Sequence, residues 1–323
     1  MSASINDMPI EILSMIVKFS SMASRMQLKM CNRQLSAIVD RVTYDLNRVN
    51  LIVRDDPNQR WPVFRVVPPR TELILDDVSW KVIGRNIVEL KIGGDRKLIK
   101  IDDPRATILS IFEKIVFSRG IRIRKINIDA EFRPEYTRYL NMVKAKGIDV
   151  HGVGWLQVFV PSCWDLRIVD YPSATPLEIP WSPLVSNARS IVVDNTDCNI
   201  NDQQLISSEW KHSSFGDTTI SEFGLNGMLK KWIAEFNSTE WYRHMMLSGD
   251  YEWRRIVEGL RYKRRVLLDY EGPVEDQDEG VHLEIAIGNE PFFVELLSYN
   301  MSSWHITIER KPSEEEEILY IDE

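Results

Sequence analysis

Asp76, Asp129 and Asp194 each stand just after a short apolar core that reads as a strand. Two carboxylates held close together with separated pKa values could act as general acid and base. The other familiar catalytic signatures are missing. The chain has no Gly-x-Ser-x-Gly elbow for a nucleophile and no Gly-x-x-x-x-Gly-Lys loop for a phosphate. Gly93-Gly94-Asp95 lacks a third glycine and reads as a turn. The five histidines, at 151, 212, 244, 282 and 305, are scattered, and none pairs with another one helical turn away. Cys31, Cys163 and Cys198 have no metal-type spacing. No catalytic residue, metal ligand or cofactor is assigned. Trp253-Arg254-Arg255 and Arg261-Tyr262-Lys263-Arg264-Arg265 interleave aromatics with cations, a pattern that can stack bases and hold phosphates. On a chain with net charge −8 that cluster reads better as a solvated face or a patch for an acidic protein.

The elements that would position a site belong to an ordinary globular chain. It has 323 residues, 44% apolar and 27% charged, with room for two or three domains. No apolar run approaches the ~20 residues needed to span a bilayer. The first seven residues are polar and carry no basic stretch, so no secretory signal is expected. An odd number of cysteines argues against a disulfide framework and suits a reducing intracellular compartment, cytoplasm or nucleus.

Residues 8–41 are the most structured stretch. Pro9 suits the first turn of a helix, and Asp7 and Glu11 add charge that the helix dipole favours. Ile10, Ile12, Leu13, Met15, Ile16, Val17 and Phe19 then place apolar side chains on nearly every face, where a surface helix needs one stripe. Ser20-Ser21 interrupts. Met26, Leu28, Met30 and Cys31 make a second short apolar segment, and Leu35, Ile38 and Val39 a third. Three short helices cannot hide this much apolar surface among themselves, so one face is expected to dock another protein.

This stretch resembles the F-box. Met8-Pro9-Ile10-Glu11-Ile12-Leu13, then Ile16-Val17, then Met30-Cys31-Asn32-Arg33 and Leu35 follow the order Leu-Pro-x-Glu-apolar-apolar, an apolar pair, and Val-Cys-polar-Arg. Met8 and Met30 depart from the usual Leu and Val but keep size and softness, and Leu35 replaces the common aromatic. The resemblance implies an adaptor-binding surface on Met8, Pro9, Ile12, Leu13, Ile16, Val17, Leu28, Cys31 and Leu35. Later, Leu225-Asn226-Gly227-Met228-Leu229-Lys230-Lys231-Trp232-Ile233 is similar to the Leu-Asn-x-x-Leu-Lys-x-Trp stretch of the F-box-associated region in the large nematode group of F-box proteins. Read on its own, that segment is a helix whose Leu225, Met228, Leu229, Trp232 and Phe236 pack on a sheet, with Lys230 and Lys231 in water.

Between these two segments the pattern is extended. Residues 51–53 and 63–67 are short β-type runs separated by a turn cluster and closed by Pro68-Pro69. An apolar-x-apolar core then recurs, often followed by Asp or Gly: Leu73-Ile74-Leu75, Leu90-Lys91-Ile92, Ile126-Asn127-Ile128, Leu166-Arg167-Ile168, Ile191-Val192-Val193 and Met245-Met246-Leu247. Ile87, Ile123 and Ala188 extend three of them loosely to a leucine-rich-repeat half-pattern. Helices are expected at 108–118, 134–146, 205–210 and 225–236, and a loop at 172–183. Strand–helix–strand units imply parallel strands with right-handed crossovers, stacked as a leucine-rich-repeat-like solenoid. Runs at 281–287, 292–297 and 304–308 read as a small antiparallel sheet, and Glu314 to Glu317 as a solvated acidic run.

The expected organisation is therefore α+β or α/β. An F-box-like helical domain (5–45) leads through a connector (46–70) to a leucine-rich-repeat-like target-binding region (71–310) and an acidic tail (311–323). The resemblance implies a non-catalytic substrate receptor that joins a Skp-family adaptor, and through it a cullin-RING ligase, to an unknown target protein. Nucleic acid and membrane are not expected partners. A scaffold without ubiquitination is the alternative, followed by a nucleic-acid-associated binder that uses the basic cluster. Strand alternation puts the middle residue of each core outward. Ile74, Lys91, Asn127, Arg167, Val192 and Met246, with Asp76, Asp129 and Asp194 two residues on, are the expected target face.

Overall fold

The computed structural model describes residues 8–42, 45–54, 70–118, 121–170, 175–194, 197–235, 242–266, 280–287, 290–299, 303–310 and 319–321. The chain divides into two compact units, Met1–Cys163 and Trp164–Glu323.

The first unit opens with three helices, α1 (Ile10–Phe19), α2 (Met22–Cys31) and α3 (Arg33–Arg41). Pro9 stands one residue earlier than expected, at the N-cap, where its carbonyl accepts from the backbone N–H groups of Ile12 and Leu13. Ser21 and Asn32 cap α2 and α3 by accepting from Ser24 N and Leu35 N. Leu13, Val17, Leu35, Ile38 and Val39 form the small core of this module. Arg25 is buried, and its guanidinium donates to the carbonyls of Val17 and Lys18, 2.9 Å each, which closes the C-terminal end of α1.

The rest of this unit is β1 (Asp45–Arg54), β2 (Arg70–Leu75), β3 (Val78–Gly84), β4 (Ile87–Ile92), β5 (Asp95–Lys100), α4 (Pro104–Val116), β6 (Arg122–Asp129) and β7 (Lys144–His151). The strand order is β7-β6-β1-β2-β3-β4-β5. The β7-β6-β1 part is parallel, and the pairings from β1 through β5 are antiparallel. Residues 46–54, expected in the connector, are thus strand β1, while the 63–67 run falls outside the described residues. Leu73 and Leu90 lie in antiparallel hairpins, turned at Asp76 (φ 51°) and Gly93 (φ 59°), rather than in strand–helix–strand units. A helix over 134–146 does not form. Pro134–Tyr139 makes a short 3-10 helix, and β7 begins at Lys144, so Gly147 is inside a strand and not at a helix end. One sheet face carries Leu51, Leu73, Ile126 and Val150, all fully buried with Ile108 and Phe112 of α4. Trp155 donates from Nε1 to the Ala130 carbonyl at 2.7 Å, and burial pushes the stacked Tyr136 hydroxyl up to about 12.

The second unit runs β8 (Asp165–Val169), α5 (Pro183–Ser186), β9 (Ser190–Asp194), α6 (Asp202–Ser207), β10 (His212–Asp217), α7 (Glu222–Glu235), β11 (Tyr242–Ser248) and α8 (Trp253–Ile256). Strands β12 (Tyr262–Val266), β13 (Gly280–Ile287), β14 (Glu290–Tyr299), β15 (Ser303–Arg310) and β16 (Leu319–Ile321) follow. Strands β8 to β11 are parallel neighbours. Beyond β11 the order is β15, β14, β13, β12, β16, all antiparallel. The expected C-terminal antiparallel sheet is therefore present and continues from the parallel part. Residues 319–321 of the expected acidic tail are strand β16, and 311–318 lie outside the described residues. Leu225, Met228, Leu229 and Trp232 of α7 are buried. The architecture is α+β: N-terminal helices, then mixed α/β with extensive sheet.

Candidate functional site

Helix α1 sets Leu13 and Val17 on one side and Ile12, Met15, Ile16 and Phe19 on the other, while Ile10, at its first turn, shares the side of Val17. Leu13 and Val17, four residues apart, point together into the module. Met8, Ile10, Ile12, Met15, Ile16 and Phe19 stay exposed, Phe19 at 81%. Of the expected adaptor residues, Met8, Pro9, Ile12, Ile16 and Cys31 are on the surface and Leu28 is half-buried. Leu13, Val17 and Leu35 are a correction: each is 1% exposed and belongs to the core. The sequence assignment missed Ile10, Met15, Phe19 and Met30 as surface groups. For the three on α1 the signal was the run of apolar residues on every face of that helix, which one core could not absorb; Met30 lies on α2.

The middle residues of the expected strand cores align in register within each unit. In the first, cross-strand partners align Asp149, Asn127, Asn50, Ile74, Ser79 and Lys91 in one row from β7 to β4. In the second, Arg167, Val192, Ser214, Met246 and His305 align from β8 to β15. Ile74, Lys91 and Asn127 thus share one row, and Arg167, Val192 and Met246 another; all but Lys91, whose neighbours Leu90 and Ile92 are half-buried, lie on the side opposite buried flanking residues.

The three aspartates have separate structural partners. Asp76 lies in the β2–β3 turn, where its Oδ1 accepts from Arg48 N at 2.7 Å and burial pushes its carboxyl above the ordinary aspartate value. Asp129, at 2% exposure, is not a surface acid; it accepts from Arg54 Nε at 2.5 Å and lies 3.5 Å from His151 Nδ1. Asp194 accepts from Arg167 Nε, also at 2.5 Å. Asp76 sits beside Arg48 on β1 and Asp129 beside Ile52, towards opposite ends of that strand, so these two do not form an acid–base pair.

Histidines far apart in sequence meet in the second unit. Tyr242, 45% exposed, is stacked with His212 and with His244, and His244 meets His305 edge-on with ring centres 5.4 Å apart. Residues on neighbouring strands are adjacent without any short-range spacing, which is why the sequence shows no cluster. Desolvation first, then nearby cations, holds the His212 imidazole below its ordinary pKa, and His244 is lowered by burial and by the two other imidazoles. Among the described residues no group of His, Cys, Asp and Glu could hold a metal ion.

The later family-like segment is structural. Asn226 is buried and donates through Nδ2 to the carbonyls of Ile256 and Glu258, at 2.8 and 2.9 Å, which ties α7 to α8. Lys231, expected in water, instead donates to the Ser208 carbonyl and lies near Glu209 and Glu235. In the basic cluster Arg254 covers the Trp253 ring and Arg255 pairs with Glu252 at 2.9 Å; the side chains of 262–265 lie outside the described residues. Among the described residues no helix is long and apolar enough to cross a membrane. No protein-family model, no curated protein and no solved structure matches the chain.

Proposed function

We propose that this protein is a substrate-receptor subunit of a Skp–cullin–F-box type ubiquitin ligase, acting inside the cell. The observation that carries this reading is the outward apolar face of α1. Ile12 and Ile16 are exposed beside Met15 and Phe19, with Met8 exposed just before the helix, on a helical module whose own core is already filled by Leu13, Val17 and Leu35. A contiguous apolar surface of that kind marks a docking site. Met8, Ile12 and Ile16 of this surface are among the residues that follow the F-box order. The protein performs no chemistry of its own in this reading. It holds a target near the ubiquitin-charged enzyme and raises the effective concentration of the reacting groups.

In this reading the target binds along the sheet rows. Lys91 with Ile74 and Asn127, and Arg167 with Val192 and Met246, mix charge with apolar groups as protein interfaces do. The strand–helix alternation from β8 to β11 is the part that supports a leucine-rich-repeat-like reading. The test is purification of the tagged chain with a Skp-family adaptor present. Wild-type chain should retain adaptor and cullin, and Ile12→Asp with Ile16→Asp should lose both. Adaptor retained without cullin leaves an interaction scaffold; no adaptor bound by the wild-type chain removes the F-box reading.

A further inference from the structure

Inside the first unit, α2 and α4 present facing apolar stripes that do not close on each other. Met22, Met26 and Met30 recur every four residues along α2, and Ile111 and Ile115 do the same on α4. Trp80 of β3 is also part of the wall. Between them is a cleft of about 630 Å³, open to solvent on the side where Met30 and Lys114 are exposed. Small-molecule sites are clefts that span roughly 300–1,000 Å³ with apolar walls and a few polar groups. Methionine suits such a wall, because its unbranched side chain adapts to irregular shapes.

The polar groups of the wall set the sign of the ligand. They include three cationic side chains, Arg25, Lys29 and Lys114, and one carboxylate, Asp40. Arg25 is turned to the carbonyls at the end of α1. Lys29 is paired with Asp40 at 2.5 Å, so the single acid is taken. Lys114 is exposed, one residue from the Ile115 stripe. An apolar cleft with an exposed ammonium on its wall fits a molecule with an apolar body and one negative head.

We propose that this cleft binds an amphipathic carboxylate of the long-chain fatty-acid type. The tail lies between the α2 methionines and the α4 isoleucines, and the carboxylate meets Lys114. This site does not depend on the adaptor reading, since the exposed side chains of α1 do not line it.

The full chain would be titrated with dansyl-undecanoate, followed by displacement with oleate, oleyl alcohol and an alkyl-trimethylammonium of equal length. Saturable probe binding is expected at one site per chain, with oleate the strongest competitor. Ile111→Trp should abolish binding by filling the cleft. Lys114→Glu, at an exposed position that leaves the fold intact, should weaken oleate roughly tenfold through loss of one charge-assisted contact. Ile12→Asp with Ile16→Asp should bind the probe like wild type even where adaptor binding is lost. No saturable binding would overturn the proposal. So would equal competition by the alcohol or the cation, full oleate affinity in Lys114→Glu, or probe binding that disappears with the α1 variant.

Discussion

Helices α1 and α7 are built from similar material and use it in opposite ways. In α7, Leu225, Met228, Leu229 and Trp232 are buried, and among its large apolar residues only Phe223 is strongly exposed, at 75%. Its glycines allow near approach: a Cβ on Gly224 would come within 2.2 Å of Asp202 Oδ1, and one on Gly227 within 2.5 Å of the Ile206 side chain. In α1 only Leu13 and Val17 are buried, and five large apolar residues, Ile10, Ile12, Met15, Ile16 and Phe19, are exposed. An apolar helix is therefore not by itself a core helix. The difference lies in whether the chain supplies a second surface, as α6 and α8 do around α7. At α1 the described residues provide one for a single face.

The largest effect should come from breaking the α7 side. Trp232→Ala removes a buried indole that donates to the Trp210 carbonyl, and should cost about 3–5 kcal/mol in equilibrium unfolding. Asn226→Leu keeps bulk but leaves the Ile256 and Glu258 carbonyls without that donor, for about 1–3 kcal/mol. If both changes were silent in denaturant titration, α7 would be no more anchored than the outer face of α1, and the contrast between the helices would fail.

Arg25→Met probes the α1 side at its fixed end. The guanidinium satisfies two terminal carbonyls of α1, and its loss should cost about 1–3 kcal/mol while speeding amide exchange across α1 and α2. Exchange unchanged in α1 would mean that Leu13 and Val17 alone hold the helix.

Much of this contrast was legible in residues. Strand alternation correctly put Ile74, Asn127, Val192 and Met246 opposite their buried neighbours, because a period of two leaves little freedom once one face is apolar. Three further parallel-strand cores, Val49-Asn50-Leu51, Ile148-Asp149-Val150 and Ser213-Ser214-Phe215, escaped notice. The first lay in an assumed connector, the second behind a false helix, and the third has polar residues in two of its three places. Burial of Asp129 was not readable either, since its partners Arg54 and His151 lie on other strands. Within α1, sequence gave the surplus of apolar surface but not its direction, which the Leu35, Ile38 and Val39 side of α3 decides.

A pH titration separates the two regions by chemistry. The segment 8–42 contains no histidine, whereas His212 and His244 stand in the second unit with lowered pKa values. Below the ordinary imidazole value of 6.5 the unfolded chain takes up protons that these folded imidazoles resist. Stability then falls as pH drops, since the unfolded state binds more protons. Amide exchange in β10 and β11 should accelerate between pH 7 and 5.5, after correction for intrinsic rates, while α1 to α3 stay unchanged. His212→Asn with His244→Asn should flatten the response in β10 and β11; a slope that persists assigns it to other groups.

The smallest expected effect on stability is the most discriminating. Leu229→Asp in α7 buries a carboxylate without a partner and should unfold the second unit. Ile12→Asp in α1 changes the same kind of residue in the same way, but at a side chain 40% exposed. It gives up part of the covered area of Ile12, but Ile12 is the third residue of its helix, where a negative charge meets unpaired N–H groups and the positive end of the dipole. The two terms oppose each other, and the net change should stay within about 0.5 kcal/mol, as for surface substitutions generally. Thermal denaturation reads this directly, and adaptor binding by the same purified variant supplies the second axis. Unchanged melting with lost adaptor would show that the outward face of α1 serves a partner and not the fold. A loss of several kcal/mol would instead mean that Ile12 is covered within the chain, and the docking surface would have to be sought elsewhere.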